Sequence, residues 1–146
     1  MRGTTNVPEA SVIIRNEKGQ ILFVQRQHTG YEDGKYCLAS GHVEYGESFS
    51  AAAIREVKEE VDLTVQPKDL FPVFSMHRRK DDEDIRVGMV FEARAWSGTP
   101  KSMEPERHGP ITWLDADNLP YDKIMGFQAD ALRAIAAGKQ YIETGW

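Results

Sequence analysis

Apolar and polar positions along the chain follow two different periods, and each period predicts a different kind of element. Short apolar runs at residues 12–14 and 21–24 flank the turn-forming sequence NEKG, which predicts a β-hairpin. Two longer segments, 69–79 and 85–96, flank the charged sequence KDDED. The second of them places apolar residues at every other position from 87 to 93, so we expect two antiparallel strands there.

Two other segments show the 3.6-residue period of amphipathic helices. The first runs from about Phe49 to Val61 and follows Ser48, a residue type that caps helix N-termini. Its apolar stripe, which we expect to face the core, consists of Ala53, Ile54, Val57 and Val61. The second lies within residues 127–139 and ends near Gly138, because glycine favours the left-handed conformation found at helix ends.

The remaining segments predict short strands and one long loop. Residues 36–38 and the sequence ITWLDADNLP each predict a short strand. Residues 97–110 form a Pro- and Gly-rich loop whose length is more typical of a functional loop than of a plain connection. No repeat or linker interrupts the pattern. We therefore predict a single domain over residues 1–146, of the α/β (α+β) class, with a sheet covered by helices.

Composition and charge narrow the classes of function. Hydrophobic residues make up 40% of the 146 residues and charged residues 28%, which is typical of a globular domain. The net charge of -5 argues against a general basic surface for bulk nucleic acid, although a local cationic cluster could hold a small phosphate ligand. Cys37 is the only cysteine and lies beside apolar neighbours, so we expect a buried thiol and a reducing compartment. With neither a signal-peptide pattern nor an apolar run of membrane-spanning length, the expected location is cytoplasmic.

The first predicted helix carries an unusual concentration of negative charge. At 100° per residue, Glu56, Glu59 and Glu60 fall within an arc of about 100° beside the apolar stripe. Like charges four residues apart destabilise an isolated helix, and partial burial increases that penalty. A solvated helix face would tolerate the three carboxylates. If they are partly buried, the pattern predicts a cation among them.

The spacing around this helix resembles the signature of a known family. Gly41 is followed after five residues by Glu47, and after seven more by the run REVKEEVDL at residues 55–63. This arrangement resembles the Nudix box, G-x5-E-x7-R-E-U-x-E-E-x-G-U with U aliphatic, at every specified position except Asp62, where the family has Gly. We expect a strained helix end at Asp62, because Asp adopts the left-handed conformation less readily than Gly. The flanking segments over about residues 7–120 also resemble the family, in particular its MutT-like branch, which hydrolyses nucleoside triphosphates.

The resemblance implies a fold and an activity. The implied fold is the Nudix fold, an α/β/α sandwich with a central mixed sheet. The implied activity is hydrolysis of a nucleoside diphosphate derivative with Mg²⁺ or Mn²⁺, here a nucleoside triphosphate, normal or oxidised, cleaved to the monophosphate and pyrophosphate. Cleavage of a nucleotide sugar or dinucleotide is the alternative enzyme reading. A nucleotide-sensing domain without activity is the third, although such a domain would be expected to lose box carboxylates that this chain retains. A homodimer is also compatible with the resemblance.

The resemblance further implies roles for the box residues. Glu56 and Glu60 would bind the metal directly with the backbone carbonyl of Gly41, and Glu59 would be a further ligand or would hold metal-bound water. Family members differ in which carboxylate is the catalytic base, and Glu56 is the one we favour within the box. Arg55 would orient a carboxylate, or form a simple salt bridge with Glu59 four residues later. Glu47 would anchor the loop before the helix.

Residues outside the box give weaker expectations. Some relatives recruit a glutamate from the loop before the last strand, and counting back from Trp113 favours Glu106 over Glu104. His28, Tyr31 and Tyr36 precede the box where a base could stack, although core or loop roles are equally compatible with their positions. The sequence HRRK, which includes Arg78, could reach phosphates, but the acidic run that follows favours a solvated hairpin tip. His42 would shape the metal loop.

Overall fold

The computed structural model describes residues 5–146 as eight strands and two α-helices connected by loops and short 3-10 turns. The strands are β1 Val7–Ile14, β2 Gln20–Arg26, β3 Tyr36–Cys37, β4 Ala39–His42, β5 Leu70–Arg79, β6 Ile85–Ala93, β7 His108–Asp115 and β8 Tyr141–Thr144. The helices are α1 Phe49–Val61 and α2 Gly126–Ala136. None of the helices in the described part of the chain combines the length and apolarity needed to cross a membrane.

The strands form two sheets. The larger one is mixed and has the order β4-β1-β6-β5-β8, and the smaller one is antiparallel with the order β3-β2-β7. Successive residues of β1 face opposite sides. Val12 packs with α1 in one apolar cluster, whereas Ile13 packs with α2 in the other. The helices therefore cover opposite faces of a mixed sheet, which confirms the predicted fold class.

The predicted N-terminal hairpin is wrong, although both strands and the turn between them exist. β1 and β2 lie in different sheets and are joined only by the isolated bridge between Arg15 and Ile21. Both edges of β1 are already occupied, because it pairs with β4 on one side and β6 on the other. With no free edge on β1, β2 turns away and pairs with β3 and β7.

The predicted first helix is confirmed at both ends. The Ser48 side chain accepts a hydrogen bond from the backbone N–H of Ala51, and the helix runs from Phe49 to Val61. Asp62 ends it in the left-handed conformation with φ 59°. Its backbone N–H still donates to the Lys58 carbonyl, and its carboxylate accepts from the Lys58 ammonium at 2.7 Å. Asp62 stands where the family pattern has glycine, so its left-handed backbone is strained. These two hydrogen bonds offset that strain.

One strand boundary differs from the sequence predictions, and one short strand near the end of the chain is additional. β7 begins at His108, inside the segment predicted as loop, because its pairing with Arg26 of β2 extends the ladder. β8 was not predicted, since four residues are too few to establish a period, and it pairs in parallel with β5. The antiparallel pair β5 and β6, the second helix and the buried Cys37 thiol are as predicted. Burial raises the pKa of that thiol to about 12.

Candidate active site

A cavity of about 630 Å³ opens where the C-terminal half of α1 meets the end of β4, and it extends under the start of α2. Its walls carry both signs of charge. The acidic lining residues are Glu9, Glu44, Glu56, Glu59, Glu60 and Glu104. The basic ones are Arg26, Arg55, Arg78, Lys80, Arg86 and Arg107.

Glu56 and Glu60 form a close, poorly hydrated pair on α1. The Glu60 side chain is almost completely buried, at 4% exposure, and accepts a hydrogen bond from the Ser40 backbone N–H at 3.4 Å. Burial raises the pKa of Glu60 well above its usual range, and the neighbouring Glu56 carboxylate raises it further. A buried carboxylate that faces a second one is unfavourable unless a proton or a cation lies between them.

Gly41 is the point where β4 touches this pair. A side chain at position 41 would overlap the Glu56 carboxyl group, so only glycine lets the carboxylate lie against the strand backbone. The register places Gly41 opposite Ala10 of β1, which holds it on the edge strand beside α1. Strand and helix therefore bring the Gly41 backbone and two carboxylates of the box to one place.

Arg55 links the carboxylates of the box to the loop before the helix. Its guanidinium donates to both oxygens of Glu47 at 2.7 and 2.9 Å, to Glu56 Oε1 at 2.8 Å and to Glu59 Oε2 at 3.2 Å. It also donates to the His42 carbonyl at 3.0 Å. Hydrogen bonding to Arg55 lowers the pKa of Glu47 to about 2. The two roles predicted for Arg55 thus occur together, a salt bridge with Glu59 and contact with the carboxylate of Glu56.

The donor chemistry of this corner fits a hard divalent cation. Every candidate ligand is an oxygen atom, from glutamate or backbone carbonyl, and Mg²⁺ prefers such ligands. Within residues 5–146, no three His, Cys, Asp or Glu side chains are grouped closely enough to hold a metal by themselves. Glu59 is exposed and bonded to Arg55, so Glu56 and Glu60 are the two that converge. A site with two carboxylates suits Mg²⁺, which commonly completes its shell with water and substrate phosphate.

The loop before β7 supplies Glu104 to the cavity, not Glu106. The loop is tied to the end of α1, because the Met103 backbone N–H donates to the Glu60 carbonyl at 3.0 Å. Glu104 then lines the cavity close enough to raise the pKa of Glu60. A turn follows in which His108 N–H donates to the Glu104 carbonyl, and this turn leaves Glu106 exposed on the outside. The preference for Glu106 is therefore wrong as to position, because counting residues does not reveal the direction of a turn.

His108 lies directly behind Glu104. It is buried at 3% exposure, and its Nδ1 has no hydrogen-bond partner among the described residues. The nearest carboxylate oxygen, Glu104 Oε1, is 3.9 Å away, too far for a hydrogen bond. Burial and two nearby arginines lower the pKa of His108 to about 4, so the ring is neutral at physiological pH.

The sequence HRRK does not form a purely solvated hairpin tip. Residues of β5 alternate between faces, so Arg78 is buried toward the cavity and Arg79 points away and pairs with Asp82. Lys80 also lines the cavity while bridging to Asp84 at 3.2 Å. The predicted strand over residues 69–79 includes both arginines, and its period of two places Arg78 and Arg79 on opposite faces, although the period alone does not show which face is buried.

Two of the weaker substrate-binding candidates lie outside the cavity. His28 is exposed, with φ 57° in the loop after β2, and does not line the cavity. Tyr36 packs edge-on against Phe23, with ring centroids 6.4 Å apart, and contributes to the apolar cluster under α2. Only Tyr31 of this group lines the cavity, with the Lys80 ammonium 5.3 Å from its ring centroid.

Several lining residues had no signal in the sequence. Glu9 lies on β1 and Arg86 on β6. From the sequence alone, a single charged residue on a strand is expected to face solvent. His42 follows Gly41 at the end of β4, and its Nε2 is 2.9 Å from Arg86 Nη1. The pairing of β1 with β4 and β6 brings these residues together, and that pairing is not visible in a single sequence.

Comparison with known proteins agrees with this architecture. Residues 5–135 match the family model described as the NUDIX domain. The 8-oxo-dGTP diphosphatase of Escherichia coli strain K12 is 31% identical over 110 residues, which are 74% of this chain and 83% of that protein. An ADP-ribose pyrophosphatase of Methanocaldococcus jannaschii is 30% identical over 107 residues, which are 73% of this chain and 61% of that protein.

Solved structures of similar proteins share the fold. A MutT NUDIX hydrolase from Burkholderia pseudomallei superimposes with a TM-score of 0.76 at 26% identity, covering 88% of this chain and 97% of the other. The E. coli ORF135 protein has a TM-score of 0.77 at 23% identity and covers 92% of this chain and 91% of the other. The family model spans most of the chain. Five signature residues, Gly41, Arg55, Glu56, Glu59 and Glu60, line one cavity. The chain therefore belongs to the NUDIX family of hydrolases.

Proposed function

We propose that this protein hydrolyses a nucleoside triphosphate to the nucleoside monophosphate and pyrophosphate with Mg²⁺ or Mn²⁺ as cofactor. The observation that carries the proposal is the buried contact between Glu56 and Glu60 in a cavity whose other walls carry cations. The paired carboxylates call for a positive ion, and the arginine and lysine side chains of the lining supply hydrogen-bond donors for phosphate oxygens. The activity named for the E. coli relative, 8-oxo-dGTP diphosphatase, belongs to the same reaction class.

The residues that would hold the cation are Glu56, Glu60 and the carbonyl of Gly41, with Glu59 and Glu104 able to contribute through water. When bound, a divalent cation neutralises diphosphate oxygens and makes a water molecule more acidic. The protein's own part is to keep the Glu56 carboxylate against the Gly41 backbone, where a side chain would displace it, and to bury Glu60 beside it. Arg55 fixes Glu56 by a charge-assisted hydrogen bond of 2.8 Å.

Glu56 is the proposed general base. Its carboxylate lines the cavity and is held by Arg55, whereas Glu60 is more deeply buried and Glu59 is exposed. The Glu56 carboxylate would accept the proton of the attacking water. Replacing Glu56 with Gln should lower kcat by about 10² to 10⁴-fold, as expected for loss of a general base, with thermal unfolding in the absence of metal unchanged or slightly improved. Near-normal turnover of this variant would remove Glu56 from the role.

The decisive experiment is a substrate panel with Mg²⁺ and with Mn²⁺, scored separately for pyrophosphate and for orthophosphate. The panel contains the common nucleoside triphosphates, 8-oxo-dGTP, ADP-ribose and a dinucleotide. Release of pyrophosphate from a triphosphate is expected. Orthophosphate as the sole product would place the cleaved bond elsewhere. Silence across the panel, with the protein folded, would favour a sensor that binds nucleotides without cleaving them.

Cleavage of ADP-ribose is a second candidate, favoured by the name of the M. jannaschii relative. Its substrate also carries a diphosphate, so the same carboxylates and cations would serve. The panel separates the two, because ADP-ribose yields AMP and ribose phosphate without free pyrophosphate.

A further inference from the structure

One face of the larger sheet changes from apolar to charged at its cavity end. Side chains two or four residues apart on a strand share a face. The charged residues of this face are Glu9 on β1, Arg86 on β6 and Arg78 on β5. The residues two or four positions further into the same strands belong to the apolar cluster under α2; they are Ile13, Val90 and Met76.

The three charged residues form one network. Arg78 donates from Nε and Nη2 to Glu9 Oε1 at 3.2 and 2.8 Å, and both side chains are about nine-tenths buried. Arg86 donates from Nη1 to Glu9 Oε2 at 3.2 Å. The guanidinium carbon of Arg78 lies 4.0 Å from the ring centroid of Phe127 in the first turn of α2. Glu9 and Phe127 thus hold the Arg78 guanidinium in one orientation.

Stability does not explain this network. Replacing a buried ion pair with well-packed apolar residues is often neutral or stabilising, and the adjoining part of the same face is apolar. The charged end is the part that lines the cavity. Glu9, Arg78 and Arg86 can hydrogen-bond a ligand in the cavity, whereas apolar residues at the same positions could not.

Arg78 has hydrogen-bonding capacity left over. Its Nη1 group makes no hydrogen bond to any of residues 5–146, and it is not among the fully enclosed polar atoms. Its charge is balanced by Glu9, and that of Arg86 is balanced by Asp84 at 2.5 Å. A guanidinium whose charge is neutralised by a neighbouring carboxylate attracts a polyphosphate only weakly, but its free N–H groups can still donate hydrogen bonds. It also lies on the α2 side of the sheet, whereas the carboxylates of the metal corner belong to α1 on the other side.

We propose that Arg78, oriented by Glu9, determines base specificity by donating to two adjacent acceptors on the base of the substrate. This proposal rests on the proposed function and deepens it. Cytosine offers O2 and N3 as adjacent acceptors, and guanine offers O6 and N7. Adenine places a donor beside N7, and uracil separates its acceptors by N3–H. In both favoured bases an N–H donor follows the acceptor pair, and Glu9 Oε2 retains an acceptor position for it.

The proposal separates this chain from the activity named for its E. coli relative. In 8-oxoguanine N7 carries a hydrogen and becomes a donor, so O6 no longer has an acceptor beside it and the acceptor pair is lost. We therefore expect 8-oxo-dGTP to be a poorer substrate than dGTP or dCTP.

The test compares base preference in the wild type with that in two variants of neighbouring arginines. Arg78→Lys keeps the charge but removes the two-pronged donor, and Arg79→Lys is the matched control on the opposite face of the same strand. For the wild type we expect kcat/KM for either the guanine or the cytosine triphosphate to exceed that for adenine and uracil by about 5- to 150-fold, the range for one good bidentate contact. Arg78→Lys should lower kcat/KM for the favoured triphosphate and leave kcat/KM for the adenine and uracil triphosphates unchanged, so that most of the ratio is lost. Arg79→Lys should preserve the ratio.

Equilibrium binding of the four nucleoside monophosphates without metal gives a second readout that does not depend on turnover. The favoured base should bind more tightly to the wild type and to Arg79→Lys, but not to Arg78→Lys. Glu9→Gln should weaken the preference partially, because Arg78 keeps its fork but loses its charged anchor. Thermal unfolding of each variant establishes that it is folded.

The outcomes distinguish this proposal from the proposed function. Pyrophosphate release with no base preference, a preference for adenine, uracil or 8-oxoguanine, or a preference that survives Arg78→Lys would overturn the role of Arg78 and leave the hydrolase intact. Absence of any triphosphate turnover would overturn the proposed function, and equal binding of the four nucleoside monophosphates would then overturn the role of Arg78 as well. If guanine and cytosine differ from each other, the better one identifies which acceptor pair is read.

Discussion

Replacing Glu60 with Gln should change stability in opposite directions with and without a divalent cation. Without metal, the carboxylate is buried against Glu56, and its raised pKa means that the native state binds its proton more tightly than the unfolded chain does. Stability of the metal-free protein should therefore fall as the pH rises above about 4.5, the ordinary pKa of the unfolded carboxyl. Gln cannot ionise, so the variant lacks this loss.

The size of the effect follows from the contact of two like charges. Two unit charges 4 Å apart repel by about 4 kcal/mol at an effective dielectric constant of 20. A proton shared between Glu56 and Glu60 relieves part of this repulsion, so we expect about half, about 2 kcal/mol, as the gain at pH 8. For a chain of this length that corresponds to a rise in Tm of about 4 to 8 °C. With Mg²⁺ at about 100 times its Kd, the wild type should gain about 2.7 kcal/mol, and Glu60→Gln should gain little.

Thermal unfolding at pH 5 and pH 8, each with chelator and with Mg²⁺, measures all of these terms. In chelator the variant should be the more stable, by a margin that grows between pH 5 and pH 8. In Mg²⁺ the order should reverse or the two should become equal. Glu17→Gln, at an exposed turn position far from the cavity, is the matched control and should change Tm little under any condition.

Two results would refute the reasoning. If Glu60→Gln is no more stable than the wild type in chelator at pH 8, the buried contact does not carry the expected repulsion. If Mg²⁺ raises the Tm of both proteins equally, Glu60 is not a ligand.

Three further predictions concern the same corner of the cavity. Gly41→Ala should lower kcat/KM by at least about 10²-fold, because the added methyl group displaces the Glu56 carboxylate; a kinetic assay with a normal Tm checks this, and unchanged activity would contradict it. Glu104→Gln should lower activity or raise the Mg²⁺ concentration needed for it, whereas Glu106→Gln should do neither, since only Glu104 lines the cavity; equal metal titrations for the two variants would count against the assignment. His108 has a pKa of about 4, below the ordinary 6.5, so the unfolded chain binds its proton more tightly and stability should fall by up to roughly 3 kcal/mol as the pH drops from 7 to 4. Unfolding curves of His108→Gln should show a smaller loss over that pH range, and an identical loss would exclude the histidine as its source.

The grouping of the box carboxylates on one side of a helix could be predicted from the sequence, because it depends on local structure alone. One helix carries Glu56, Glu59 and Glu60, and the 3.6-residue period alone places them on one side. Ser48 marks the start of that helix by residue type, and the apolar stripe ends at Val61, so its bounds were predictable without any tertiary information.

The opposite wall of the cavity could not be predicted, because it depends on strand pairing. Glu9 and Arg78 are 69 residues apart and meet only because β1 and β5 both pair with β6. A charged residue on a strand is usually exposed, so burial of Glu9 or Arg78 is not expected from residue type and strand position. The N-terminal hairpin was predicted wrongly for the same reason, because the edges of β1 pair with β4 and β6, which lie further along the chain.

The most direct test of the central claim is a crystal structure of the protein with Mn²⁺ and a non-hydrolysable nucleotide, using anomalous scattering to locate the metal. The account predicts a manganese peak within coordination distance of Glu56, Glu60 and the Gly41 carbonyl, in contact with a phosphate oxygen of the nucleotide. A peak elsewhere in the cavity, or Glu56 and Glu60 still facing each other with no metal between them, would contradict it.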